Sequence, residues 1–135
     1  MSDLLDNPDK RIRQKAQFEL ATRGSDGLEI FKAKLSANSG QLARIHAIWG
    51  LAQLSRSGES NAGKLLVPLL NDTDQEIRAQ AARWLGDIRY KEAEDKLIPL
   101  LQDLSVRVQF FAAEALGRIK AEQAVQRCSL FILLK

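Results

Sequence analysis

The residues best suited to catalysis or metal binding are few, because the chain has one histidine, His46, and one cysteine, Cys128. Histidine alone has an unperturbed pKa near neutrality, but as a general base or metal ligand it needs a second polar group nearby. No second histidine or cysteine stands at helical spacing from His46. We therefore expect no catalytic residue, no metal and no cofactor. We expect Cys128 to be a small buried apolar residue rather than a redox centre.

The composition is that of one helical globular domain. The chain has 135 residues, of which 45% are apolar and 27% charged, and this excludes the class of disordered proteins. Aromatic residues make up only 6%, whereas there are 21 leucines and 17 alanines, which favours helix over sheet. A single cysteine excludes an internal disulfide. The net charge of +3 is too small to indicate a dedicated polyanion binder.

Neither a secretory signal nor a membrane span is visible in the sequence. Residues 1–4 lack the charged and apolar regions of a signal peptide. The longest apolar stretch, residues 130–134, is far shorter than the roughly 20 residues that span a bilayer. The compartment is therefore left open, and we expect a soluble protein, cytoplasmic by default, without membrane partners.

The chain repeats itself with a period of 31 to 34 residues. Residues 66–72 recur as 97–103, and residues 81–88 recur as 112–119, both at an offset of 31. Ala81 and Leu85 correspond to Ala47 and Leu51 at an offset of 34. A self-similar period of this length is typical of stacked repeats. We expect one array over residues 1–135, with repeats at about 1–24, 25–57, 58–89 and 90–120 and a partial repeat at 121–135.

Each repeat has the pattern of two helices. When the repeats are aligned, one column of equivalent positions holds residue types that are favoured as helix N-caps. A stripe of apolar residues with helical period follows this column in each repeat. The N-cap column contains Asp9, Gly40, Asp74 and Ser105, and the clearest stripes are Ile77, Ala81, Leu85, Ile88 and Val108, Ala112, Leu116, Ile119. A second helix is predicted at residues 28–37, 62–71, 93–102 and 122–134. Pro68 and Pro99 occupy equivalent positions in two of these helices, which predicts a bend at each.

The pattern of residues 69–86, Leu-Leu-x-Asp-x-Asp-x-x-Ile-Arg-x-x-Ala-Ala-x-x-Leu-Gly, resembles the HEAT repeat. It is similar to the short bacterial form also found in phycobilin lyase subunits. The resemblance implies an all-α fold, an α-solenoid of about four helical hairpins in an armadillo-like superhelix. It also implies a structural ladder of polar side chains between successive repeats. The ladder positions are Asn7, Asn38, Asp72 and Asp103 in one column and Arg13, Arg44 and Arg78 in the other, where the fourth repeat has Gln109 instead.

The HEAT resemblance further implies that the N-capped helices line the concave face on which such proteins usually bind partners. Positions away from the apolar stripe should then face solvent. Aromatic rings and arginines there are typical of protein interfaces. The predicted partner-binding residues are Phe18, His46, Trp49, Gln80, Arg83, Phe111 and Arg118. The predicted function is a non-enzymatic scaffold that binds an unknown protein or peptide.

Two other functions stay open from the sequence. Nucleic acid could contact Arg11, Lys15, Arg83, Arg107 and Arg118, although Glu76, Asp87 and Glu114 on the same face would cancel much of the field. A chromophore-lyase-type accessory subunit is suggested only by the repeat subtype. Neither end of the chain resembles a polar capping helix, so the chain is expected to be a fragment of a longer array or to associate end to end.

Overall fold

The computed structural model describes residues 2–36 and 38–119 of the chain. Every regular element within these ranges is helical. The predicted partial repeat at 121–135, its helix at 122–134 and Cys128 lie outside the described residues. The described chain divides into two compact units between Leu66 and Val67.

The first unit is built from four α-helices. A 3-10 turn at Ser2–Asp6 precedes α1 (Lys10–Ala21), α2 (Ser25–Lys34), α3 (Gln41–Arg56) and α4 (Asn61–Leu66). Helix α3 packs against α1, α2 and α4, and its residues 43–48 are all buried. Gly50 is the position where Phe31 of α2 reaches α3, because a Cβ atom on Gly50 would lie 2.2 Å from the Phe31 Cζ atom.

The second unit contains three α-helices joined by 3-10 segments. These helices are α5 (Gln75–Asp87), α6 (Glu94–Leu97) and α7 (Val106–Ile119), and the 3-10 segments are Val67–Asn71, Lys91–Ala93 and Ile98–Gln102. Helix α5 packs along α7. Gly86 allows this approach, since a Cβ atom there would come within 2.4 Å of the Ala115 Cα atom. Gly86 therefore serves the close packing of α5 against α7.

The predicted N-cap column begins the long helix of each repeat. Asp9 Oδ1 accepts a hydrogen bond from the Arg11 N–H, and Asp74 Oδ1 accepts one from the Glu76 N–H, both at 2.9 Å. Gly40 is the N-cap of α3. Ser105 Oγ accepts a longer bond from the Val108 N–H at 3.4 Å. The polar side chains satisfy backbone donors that have no partner inside the first helical turn.

The second helix of two repeats is shorter than predicted. The sequence predicts helices at 62–71 and 93–102 with a bend at each proline, whereas α4 and α6 end at Leu66 and Leu97 and 3-10 segments follow. Each change comes one residue before the proline, because proline disfavours α-helical geometry in the residue that precedes it. The chain thus continues in the tighter 3-10 geometry through both prolines.

The predicted apolar stripes are buried. Ile77, Ala81 and Leu85 of α5 are fully inaccessible, as are Val108 and Ala112 of α7, with Leu116 and Ile119 nearly so. Ile88 is half-buried, because it follows the end of α5. The prediction of an all-helical repeat fold is confirmed.

Candidate functional site

A chain of hydrogen bonds between α1 and α3 holds His46. The Arg13 Nε–H donates to His46 Nε2 at 3.3 Å, and His46 Nδ1 lies 2.8 Å from Gln17 Oε1. Gln17 Nε2 in turn donates to Gln53 Oε1 at 2.7 Å. Arg13, Gln17 and His46 are all buried. The four side chains thus form a linear network that runs from the core of the first unit to the half-buried Gln53.

This network corrects the expectation that His46 faces solvent, since only 3% of the residue is exposed. The direction of the hydrogen bonds also fixes its protonation state. Because Arg13 can only donate, His46 Nε2 must accept, and the remaining proton sits on Nδ1 and points to Gln17. Burial, and then the positive charges of Arg13 and Lys10, lower the pKa of His46 below its usual value. His46 is therefore a neutral structural residue.

Phe18 of α1 lies on the surface of the first unit, with 47% of the residue exposed. It lines a shallow depression of about 400 Å³ on one side of α1, together with Arg11, Gln14, Lys15, Glu19 and Thr22. Trp49 of α3 is half-buried and meets the His46 ring edge to face, with ring centroids 5.0 Å apart. Phe18 is thus available to a partner, whereas Trp49 is held partly inside the unit.

Gln80 of α5 is also buried, with 4% exposed, which corrects the expectation that it faces solvent. Its Nε2 donates to Glu76 Oε1 at 2.8 Å, and its Oε1 accepts from the Trp84 Nε1–H at 3.3 Å. Gln80 therefore orients two neighbours on its own helix. Trp84 was not among the predicted site residues, although its spacing of four from Gln80 could have indicated the contact.

The surface between α5 and α7 carries a cluster of arginines and rings, which we call the Arg83 cluster: Arg83, Trp84, Arg107 and Phe111. The Arg83 Cζ atom lies 5.2 Å from the Trp84 ring centroid and 5.8 Å from the Phe111 centroid. The Arg107 Cζ atom lies 5.1 Å from the same Phe111 ring. These separations are those of cation–π contacts. Arg83 is exposed and Phe111 is half-buried between the two cations.

The carboxylates beside the Arg83 cluster are paired with Arg107 and Arg118 rather than with Arg83. Arg107 donates to Glu76 at 3.0 and 3.2 Å. Arg118 contacts Asp87 at 3.1 Å and Glu114 at 2.9 Å. The structure thus places the predicted residues Arg83, Phe111 and Arg118 on one surface of the second unit and makes Arg118 part of an ion-pair network.

The predicted ladder residues differ from repeat to repeat. Arg78 reaches forward to Asp103 through two hydrogen bonds, of 3.0 Å and 3.1 Å, and backward to the Asp72 carbonyl at 2.8 Å. Gln109, in the corresponding position of the next repeat, donates to the Asp103 carbonyl at 2.6 Å.

In the first unit the ladder positions contact backbone groups. Arg13 donates to the carbonyls of Asn7 and Pro8, besides its bond to His46. Arg44 donates to the Leu35 carbonyl at 3.1 Å. The Asn7 side chain accepts from the Asp9 N–H, and the Asn38 N–H donates to Ser36 Oγ. These hydrogen bonds stabilise turns and the first turns of helices.

Within the described ranges, no group of three or more histidine, cysteine, aspartate or glutamate residues could hold a metal ion. No helix of the described chain is long and apolar enough to cross a membrane.

Helices that recur along the chain, with long helices that begin at corresponding positions and bury an apolar stripe, define an all-α repeat protein of the α-solenoid class. The family model described as HEAT repeats matches residues 63–127 of the chain. The resemblance to the HEAT repeat is thereby confirmed over these residues. None of the curated proteins compared with this chain matches it.

Three of the solved structures that resemble this chain are engineered or designed proteins. One engineered protein, a target of the Northeast Structural Genomics Consortium, is 25% identical over 93% of this chain, with a TM-score of 0.60. A second engineered target of that consortium is 24% identical with a TM-score of 0.57. A designed armadillo repeat protein in complex with the peptide (KR)4 is 22% identical with a TM-score of 0.56. This chain spans 64%, 38% and 66% of the three proteins' lengths, respectively.

Proposed function

We propose that this protein is a non-enzymatic scaffold that binds a protein or peptide through the exposed sides of its long helices. The observation that supports this most is the placement of aromatic rings beside arginines outside the core. Phe18 lies in a depression lined by Arg11 and Lys15, and Phe111 lies between Arg83 and Arg107. Aromatic residues and arginines are enriched at protein interfaces relative to the rest of the protein surface.

The similarity to designed repeat proteins supports the proposal at the level of the fold. One of these proteins is seen with a bound peptide, so a repeat array of this kind is able to bind a peptide. The side chains of the present protein determine which partner it takes.

The ion pairs of the structure weigh against the nucleic-acid alternative. A protein that binds the phosphate backbone needs cations that are free to replace counterions. Arg11 is paired with Asp9, Arg107 with Glu76, and Arg118 with both Asp87 and Glu114. Most of the arginines predicted for phosphate contacts are therefore already neutralised. A chromophore-lyase role has no support from the described residues.

Selection from a random peptide display library with the immobilised full chain tests the proposal. We expect enriched peptides whose binding weakens at least fivefold in Phe18→Ser or Phe111→Ser. Leu104→Ser is the matched control, because Leu104 is fully exposed in the turn before α7 and belongs to neither aromatic site. Failure to enrich any peptide, together with salt-sensitive binding of labelled duplex or single-stranded DNA, would overturn the proposal.

A further inference from the structure

Arg83 differs from the other arginines of its surface in having no carboxylate partner. In the part of the second unit that the structure describes, its guanidinium forms no ion pair and donates no side-chain hydrogen bond. The nearby carboxylates of Glu76, Asp87 and Glu114 are each bound by Arg107 or Arg118. The positive charge of Arg83 is thus left for a partner.

The two aromatic rings hold Arg83 in place without using its donors. A guanidinium has five N–H groups in a fixed plane, and a contact with a ring face satisfies few of them. Because Trp84 and Phe111 both lie within 6 Å of the Arg83 Cζ atom, contacts with the two rings restrict the conformations of this side chain. An ordered arginine loses less conformational entropy when it binds a carboxylate.

We propose that Arg83 binds an isolated acidic side chain of a peptide partner, with apolar neighbours of that side chain packed on Phe111 and the exposed Phe110. This inference rests on the proposed peptide-binding function and specifies its partner. Arginine matches a carboxylate through two parallel hydrogen bonds. Phe110 is 61% exposed and meets Phe111 at 5.5 Å between ring centroids, so an apolar surface continues beyond the cluster.

The charges around Arg83 favour a peptide with one acidic residue over a peptide with several consecutive acidic residues. Glu76, Asp87 and Glu114 lie on α5 and α7, the two helices that carry Arg83 and Phe111, and each forms an ion pair with Arg107 or Arg118. A polyanion, whether an acidic tract or a nucleic acid, would bring further negative charges against these carboxylates. A peptide with one glutamate between aromatic residues avoids that repulsion.

A cycle of peptide and protein variants tests the inference. The probes are the fluorescein-labelled nonapeptides GSGFEFGSG, GSGFQFGSG and GSGFKFGSG, titrated with the full chain by fluorescence anisotropy. We expect the glutamate peptide to bind at least fivefold more tightly than the glutamine peptide, and the lysine peptide to bind most weakly. In Arg83→Gln the glutamate and glutamine peptides should bind equally.

Lys96→Gln is the matched control, because it removes the same charge from an exposed site on α6 and should retain the preference for glutamate. Circular dichroism should show the wild-type helix content in both variants. Equal binding of the glutamate and glutamine peptides by the wild-type chain, or a preference that survives in Arg83→Gln, overturns the inference. Absence of binding by all three peptides overturns it as well, whereas the peptide-library selection still decides the scaffold function independently.

Discussion

Arg78 of α5 binds Asp103, the residue two positions before the cap of α7, through both oxygens of the carboxylate. The Nε–H and Nη2–H groups donate at 3.0 and 3.1 Å, and the two side chains are 17% and 9% exposed. Asp103 Oδ1 also accepts from the Ser105 N–H at 2.9 Å. One carboxylate thus links α5 to the start of α7.

Asp103→Asn should destabilise the protein. Burial of Asp103 opposes its ionisation, but the hydrogen bonds from Arg78 and the Ser105 N–H outweigh burial and lower the pKa of the carboxyl. Loss of the charge would leave Arg78 partly unpaired, at a cost of about 2 kcal/mol in the free energy of unfolding. Urea denaturation at pH 7 measures this loss of stability. Asp95→Asn, on the exposed side of α6, should change stability by less than about 0.5 kcal/mol.

The buried His46 makes stability depend on pH on the acid side of neutrality. Its pKa is lowered in the folded protein by burial and then by Arg13 and Lys10, whereas in the unfolded chain it is about 6.5. Below pH 6.5 the unfolded chain therefore binds more protons at this site. The contribution of His46 to stability should be complete above pH 6.5 and decrease as the pH falls towards the folded pKa.

Two measurements check the prediction for His46. The Cε1 proton, followed by NMR, should titrate below pH 6.5. The free energy of unfolding should fall less between pH 7.5 and 5.5 in His46→Gln than in the wild-type chain. A titration midpoint at or above 6.5 would contradict the hydrogen-bond directions assigned to Arg13 and Gln17.

Much of the fold can be predicted from the sequence, because the caps and apolar stripes that indicate it involve residues close together in the chain and recur in each repeat. The caps Asp9 and Asp74 satisfy donors two residues away, and the stripe from Ile77 to Leu85 is a helical period on one element. Pro68 and Pro99 indicated where the helix geometry changes. They could not show that the chain continues in 3-10 geometry, since that depends on how Val67 and Ile98 accommodate the proline ring that follows.

The candidate site is less predictable, because burial of its residues depends on distant elements. His46 lies on α3, which three other helices surround, and its partners Arg13 and Gln17 come from α1 some 30 residues earlier. A helical pattern in α3 alone assigns His46 to the surface. The exposure of Phe18 and Arg83 followed the pattern because each projects from the side opposite its helix's apolar stripe.

Phe18 and Phe31 should respond in opposite ways to the same substitution. Phe31→Ala removes a fully buried ring of the first unit and should lower the free energy of unfolding by about 3 kcal/mol. Phe18→Ala should lower it by less than about 1 kcal/mol, because the residue is nearly half exposed. Thermal denaturation followed by circular dichroism compares the two. If Phe18→Ala destabilises the protein as much as Phe31→Ala does, the Phe18 ring is part of the core and does not belong to the binding site.

Gly86 and Gly117 occupy the same column of successive repeats but differ in their surroundings. A Cβ atom on Gly86 would lie 2.4 Å from Ala115 Cα and 2.6 Å from Ala115 Cβ, so Gly86→Ala must push α5 away from α7. Among the described residues, nothing lies within 4 Å of the corresponding position on Gly117. We expect Gly86→Ala to destabilise the protein by more than about 2 kcal/mol.

Gly117→Ala should stabilise it by up to about 1 kcal/mol, since alanine is the better helix former. Urea denaturation of both variants measures the difference. Equal effects of the two substitutions would show that the close contact between α5 and α7 relaxes freely. A clear loss of stability in Gly117→Ala would instead show that α7 is covered at this position.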